Sequence, residues 1–199
     1  MTRLRGLYAI TPADLSRVEA ALASGALCAL QYRAKGTEAA RRLSEARHLA
    51  QLCRAHGVPL IVNDDVELAL VVDAAGAHLG RDDGDITAAR ARLRGRLLGA
   101  SCYDRPELAR RAVAAGADYV AFGSVSDSPT KPAAVRAPLE LFALDLGVPK
   151  VAIGGITLDN APRVLAAGAD AIAVISDLFD APDIAARATQ YGRLFDERR

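Results

Sequence analysis

In the segment Gln31-Tyr32-Arg33-Ala34-Lys35, a carboxamide and two cations stand at alternating positions. On an extended chain such positions share one face. Gln31, Arg33 and Lys35 turned together into an enclosed mouth would suit a polyanion such as a diphosphate. The competing reading is a solvated strand end with surface charges. Burying unpartnered cations is costly, which favours the ligand reading. Asn63-Asp64-Asp65 and Arg81-Asp82-Asp83 bring carboxylates to the ends of two further apolar runs. Asp64 and Asp83 could share one Mg²⁺ completed by water and phosphate oxygens. Acidic residues after strands also serve as helix caps and loop residues, as expected for Asp65 and Asp82, and the residues alone leave both readings open.

Ser101, in Ser101-Cys102-Tyr103, could donate a hydrogen bond to a ligand. The stretch Phe122 to Pro132 is long, rich in hydroxyls and carries one lysine, Lys131; it suits a phosphate-holding lid or a plain flexible loop. Ile153-Gly154-Gly155-Ile156-Thr157 and Val174-Ile175-Ser176 end the last two apolar runs, with glycines and backbone N–H groups suited to a phosphate. Cys28, Cys53 and Cys102 read as packing residues. A Cys-His nucleophile drawn from these and His48, His56 and His78 is weakly supported, because His48, Cys53 and His56 fall on a predicted helix.

These residues need a scaffold that gathers strand ends. Eight apolar runs of strand length are predicted: Leu7–Ile10, Leu27–Arg33, Leu60–Asp64, Ala77–Gly80, Leu97–Cys102, Tyr119–Gly123, Val151–Gly155 and Ala171–Ser176. Most are continuously apolar, as for parallel strands buried on both faces. Amphipathic stretches alternate with them. In Thr37–His56, Ala39, Leu43, Ala46, Ala50 and Cys53 recur at helical steps, while Arg41, Glu45 and Arg54 point elsewhere. Thr11 before Pro12 predicts a helix cap, and Asp104-Arg105-Pro106-Glu107 predicts a capping box with Asp104 as cap.

Ser24-Gly25-Ala26, Ala75-Gly76-Ala77, Ala115-Gly116-Ala117 and Ala167-Gly168-Ala169 each precede a strand, as expected where a helix ends on a left-handed glycine. The last two continue as Gly-Ala-Asp. The pattern predicts one (β/α)8 barrel domain over residues 1–199, with its site at the C-terminal ends of the strands.

Composition narrows the partners. Lys+Arg number 25 and Asp+Glu 24, so bulk charge does not drive nucleic-acid binding. No apolar run is long enough for a membrane span. The N-terminus lacks the apolar core of a signal peptide, and three widely spaced cysteines suit free thiols in the cytoplasm. The expected partners are small molecules, and homo-oligomerisation stays open.

Together these motifs resemble the thiamine phosphate synthase family. The likeness runs from Tyr8-Ala9-Ile10-Thr11 to Ile175-Ser176. It includes Gln31 to Lys35, Val62-Asn63-Asp64, Gly76-Ala77-His78-Leu79-Gly80 with Asp83, Leu98-Gly99-Ala100-Ser101, Pro129-Thr130-Lys131 and Ala152 to Ile156. The resemblance implies a barrel enzyme that joins hydroxymethylpyrimidine diphosphate to a thiazole phosphate and releases diphosphate. It implies that Gln31, Tyr32, Arg33, Ala34, Lys35, Asn63, Ser101 and Lys131 bind the pyrimidine diphosphate. It implies that Asp64 and Asp83 bind Mg²⁺, and that Ser128, Pro129, Thr130, Gly155, Ile175 and Ser176 hold the thiazole phosphate.

Ser126-Asp127-Ser128 departs from the family's usual Phe-Pro-Thr, and Arg81 stands in place of its usual Gln. The expected chemistry is ionisation of the pyrimidine diphosphate, with Arg33, Lys35 and Lys131 stabilising the leaving group, then capture by the thiazole nitrogen. Rival readings are a thiazole tautomerase, with His78 as the proton-transfer group, and a non-catalytic barrel that binds thiamine phosphate.

Overall fold

A computed structural model describes residues 4–126 and 136–196. Eight parallel strands close into a barrel in chain order: β1 (Gly6–Ile10), β2 (Leu27–Tyr32), β3 (Leu60–Asn63), β4 (Gly76–Leu79), β5 (Leu97–Tyr103), β6 (Tyr119–Gly123), β7 (Lys150–Ile153) and β8 (Ala171–Val174). All eight sequence-predicted strands are present. Closure comes from β1, which pairs with β2 on one side and with β8 on the other, Gly6 standing opposite Ala171.

Alternation along each strand sorts side chains into two clusters. Tyr8, Ile10, Ala29, Ile61, Tyr119 and Val151 fill the barrel interior. Leu7, Leu30, Tyr32, Val62, Phe122 and Ile172 face the outer layer of helices. Both strand faces are therefore dry, which is why the strands read as unbroken apolar runs. Each large aliphatic side chain buried this way contributes about 1.5–3 kcal/mol.

The helices are α1 (Val18–Ala23), α2 (Ala39–Ala55), α3 (Val66–Val71), α4 (Ile86–Arg92), α5 (Pro106–Ala114), α6 (Ala161–Ala166), α7 (Ser176–Phe179) and α8 (Ile184–Asp196). On α2, Ala46, Leu49, Ala50 and Cys53 are buried. Ala39 is exposed instead, because the helix begins there, clear of the barrel wall. Among the described residues, the connection from β6 to β7 carries only a 3₁₀ turn, Leu139–Ala143, whose Phe142 meets Phe122 edge to face at 5.8 Å.

Three local expectations are corrected. Thr11 caps no helix; its hydroxyl accepts from Arg33 N at 3.0 Å and ties β1 to the end of β2. The first helical turn begins at Leu15 and is capped by Asp14. Arg105, not Asp104, occupies the N-cap of α5, because Pro106 fills the first helical position. Gly25, Gly116 and Gly168 have positive φ as expected, but Gly76 does not. It opens β4, where a Cβ would fall 2.0 Å from the Leu97 carbonyl oxygen, so bare backbone is needed for close strand approach.

The repeated Gly-Ala-Asp proves to be a barrel-floor device. Asp118 Oδ2 accepts from Leu98 N at 2.8 Å, and Asp170 Oδ2 accepts from Lys150 N at 2.9 Å. Each carboxylate satisfies a backbone donor at the start of a neighbouring strand.

Candidate active site

Strand β2 carries Gln31 on its inward face, and its side chain is buried. Arg33, half-buried, follows directly after β2, and its backbone N donates to the Thr11 hydroxyl. Tyr32 points the other way. Its hydroxyl donates to Glu45 of α2 at 2.7 Å, and Arg41 donates to the same carboxylate. Any inward contribution from Tyr32 is therefore through its backbone, and Glu45 is a structural partner rather than a solvent-facing charge. Tyr32, Lys35, Arg42, Asn63, Asp64 and Leu68 are among the residues lining a cavity of ≈ 290 Å³ between the ends of β2 and β3 and the helices α2 and α3.

Asp64 follows β3 in a left-handed conformation, φ 65°, which aspartate tolerates better than most residues. Its backbone N donates to the His78 carbonyl at 2.8 Å. Asp83 reaches back so that its Oδ2 accepts from Gly80 N at 2.9 Å. A side chain at position 80 would displace that oxygen, since a Cβ there would lie 2.6 Å from it. The two carboxylates face each other. Burial first, and Asp83 second, raise the Asp64 pKa, while Lys35 opposes the shift. Lys35 Nζ lies 3.5 Å from Asp64 Oδ2 but is 61% exposed. Such a pair is weak and leaves the ammonium able to turn to an anion.

Asp65 and Arg42 complete this side. Asp65 caps α3 through Leu68 N and pairs with Arg42, so the cap reading holds for it and it lies outside the carboxylate pair. Arg42, one turn into α2, was not legible as a site residue, because its position depends on how α2 packs beside β3. Arg81 is exposed and its guanidinium stacks 4.7 Å from the Tyr103 ring centre.

Across the barrel interior, His78 Nε2 meets Ser101 Oγ at 2.8 Å and His78 Nδ1 meets the Tyr119 hydroxyl at 3.1 Å. Tyr119 and Tyr8 hydroxyls are 2.8 Å apart, and Gln31 Nε2 donates to Tyr8 at 3.1 Å. Burial pushes the His78 pKa down to about 4 and both tyrosines well up, so all three are neutral at pH 7.

The opposite side of the mouth is built from β7 and β8. Gly154 and Gly155 both have positive φ, and a Cβ on Gly154 would sit 2.3 Å from Ser124 Oγ. Val125 N and Ser126 N extend the β6–β7 pairing past the strands, to the Ile153 and Gly154 carbonyls. Asn160 fixes the turn: its Nδ2 donates to the Gly155 carbonyl at 2.7 Å and to Ser126 Oγ at 3.3 Å, and its Oδ1 accepts from Thr157 N. An Asn before Ala161-Pro162 is a helix-start signal that could have found it.

Ile175 stands at the end of β8 and Ser176 opens α7. The nearby Asp177 is drawn off by α8, where Arg187 and Tyr191 each donate to its Oδ2 at 2.6 Å. Asp127, Ser128, Pro129, Thr130 and Lys131 lie outside the described residues. Cys53 and Cys102 are buried, burial pushes all three thiols up to about 12, and none is in a disulfide. They are poor nucleophiles.

The thiamine monophosphate synthase family matches residues 7–178. Thiamine-phosphate synthases of Aromatoleum aromaticum and Chromobacterium violaceum are 59% and 58% identical to this chain. The alignments cover 98% of this chain in both cases, and 98% and 99% of the relatives. A solved thiamine phosphate pyrophosphorylase from Pyrococcus furiosus superimposes with a TM-score of 0.87 at 34% identity, over 98% of this chain and 97% of that one. A 3-hexulose-6-phosphate synthase at 18% identity and TM-score 0.71, over 95% of this chain and 99% of that one, shares the fold.

Proposed function

The chain belongs to the thiamine monophosphate synthase family, and we propose that it joins hydroxymethylpyrimidine diphosphate to a thiazole phosphate, giving thiamine phosphate and diphosphate. It is a transferase. When the thiazole substrate carries a carboxylate, CO2 leaves as well. The observation that carries this reading is one barrel mouth with two differently built sides: cations, amide and paired carboxylates after β2 to β4, and glycine backbone with Ser176 after β7 and β8.

In this proposal Gln31, Asn63 and Ser101 orient the pyrimidine diphosphate. Arg33, Lys35 and Lys131 stabilise the negative charge that grows on the leaving diphosphate. The methylene–oxygen bond breaks with its electron pair going to the diphosphate. The thiazole nitrogen then donates its lone pair to the pyrimidine methylene carbon. The backbone of Gly155, Ile175 and Ser176, with Ser128, Pro129 and Thr130, would hold the thiazole phosphate close enough for that capture. No side-chain base is needed.

The residues fit Mg²⁺. Two hard carboxylates face each other; burial first and the Asp83 carboxylate second raise the Asp64 pKa, and a cation would relieve the repulsion between the pair. Asp64 and Asp83 would hold the ion, which when bound supplies charge neutralisation for diphosphate oxygens. A cytoplasmic location belongs to the same reading and rests on three free cysteines; among the described residues no helix is long and apolar enough to cross a membrane.

A tautomerase reading finds less support. His78, its proton-transfer candidate, is buried with both ring nitrogens hydrogen-bonded inside the protein. The test is incubation of purified protein with both substrates and Mg²⁺. Thiamine phosphate and diphosphate should form together. Isomerised thiazole phosphate as the sole product would point to a tautomerase, and binding without product to a non-catalytic barrel.

A further inference from the structure

Gln31, Tyr8, Tyr119, His78 and Ser101 come from five strands, yet they form one unbroken hydrogen-bond chain through the barrel interior. Its middle is packed with little slack. His78, Gly99 and Tyr119 are neighbours in register across β4, β5 and β6. A Cβ on Gly99 would lie 2.4 Å from the Tyr119 hydroxyl oxygen and 2.5 Å from His78 Nδ1, so the missing side chain leaves room for the pair. Its ends lie toward the C-terminal ends of their strands: Gln31 is next to last in β2, and Ser101 is half-buried two residues before the end of β5.

If both tyrosine protons are spent within the chain, its neutral donors and acceptors have only two consistent directions. In one, Gln31 donates to Tyr8, Tyr8 to Tyr119, Tyr119 to His78 Nδ1, and His78 Nε2–H to Ser101. The Ser101 proton is then left to point into the site, and Gln31 presents Oε1 and its second N–H. In the other, every bond reverses. Ser101 spends its proton on His78, and the Gln31 amide turns over. The first direction sends the phenol proton toward the imidazole, from the stronger acid to the stronger base. It is also the direction of the Gln31 amide in this structure.

We propose that this chain makes Tyr119 and His78 positioning residues, which hold Gln31 as acceptor-plus-donor and Ser101 as donor, and that this preset pattern selects a 4-aminopyrimidine over its 4-oxo counterpart. The proposal rests on the reading that Gln31 and Ser101 meet the pyrimidine diphosphate. An aminopyrimidine offers an N–H donor beside a ring-nitrogen acceptor, which matches Oε1 and N–H of the amide. The 4-oxo ring offers the reverse pair. To match it the amide must turn over, the whole chain must reverse, and Ser101 loses the proton it would give the ligand. Neither Tyr119 nor His78 has to touch substrate for this discrimination.

Two measurements test it. In ligand-free wild-type protein, ¹⁵N NMR of His78 should show Nε2 protonated and Nδ1 as acceptor; the opposite tautomer would overturn the proposal, with or without turnover. Second, Tyr119→Phe removes one hydroxyl and keeps the ring. The ratio of kcat/KM for 4-amino over 4-oxo pyrimidine diphosphate should fall by about tenfold, the scale of one hydrogen bond, and the His78 tautomers should become mixed. An unchanged ratio in a folded variant would overturn it. If Tyr119→Phe fails to fold, the wild-type tautomer still decides. Failure of the wild-type protein to turn over the amino substrate would instead sink the reading under Proposed function.

Discussion

Arg33 follows β2 directly, and Lys35, in the turn beyond it, has Asp64 as an acidic neighbour. Arg33→Ala and Lys35→Ala should each weaken pyrimidine diphosphate binding by roughly 1.5–3 kcal/mol, the range for a hydrogen bond to a charged group. Thiazole phosphate binding should hardly change. Calorimetric titration of each ligand checks this; equal losses for both would remove the diphosphate from the β2 side. At this scale alternation along β2 reaches Gln31, but the strand ends at Tyr32 and Lys35 stands in the turn that follows, where strand alternation no longer applies. The sequence was silent on Tyr119 and Arg42, whose neighbours are set by register across the barrel and by helix packing. Tyr32 shows the converse: a position inside the right motif whose side chain belongs to the helix layer.

At the scale of elements, the two kinds of glycine separate. Gly76→Ala forces a methyl group onto the Leu97 carbonyl and should destabilise the barrel severely, by several times the cost of a conformational change alone. Gly25→Ala meets open space and should cost about 1–2 kcal/mol, for its left-handed backbone only. Thermal melts of the two variants give the comparison; equal losses would contradict the close-approach role of Gly76. The small-Gly-Ala repeat made these positions visible but not different, because a shared pattern hides whether the glycine ends a helix or begins a strand. Strand positions were legible because burial on both faces leaves unbroken apolar runs. Caps were less so: Pro106 shifted one cap by a residue, and Thr11 joined strands instead.

For the molecule as a whole, closing the barrel buries a histidine and two tyrosines together, and this links stability to pH at both extremes. The unfolded His78 imidazole takes up a proton near its ordinary value of 6.5, whereas the folded one refuses it until about 4. Its contribution is therefore complete above about 6.5 and is lost as pH falls toward 4, by of order 3 kcal/mol. Tyr8 and Tyr119 are held protonated beyond their ordinary value of 10, so stability should also fall as pH rises past it. Urea titrations from pH 4 to 7 should show the acid slope, and His78→Gln should flatten it; an equal slope in the variant would assign it to other groups. Paired carboxylates and cations on one side of this mouth should together drive departure of diphosphate. The initial rate of thiamine phosphate formation as Mg²⁺ is titrated, in wild type, Asp64→Ala and Asp83→Ala, tests this. The wild-type rate should rise with Mg²⁺ and collapse in chelator, with both variants folded but nearly inactive at every Mg²⁺ concentration. A wild-type rate undiminished in excess chelator, or full activity in either variant, would contradict it.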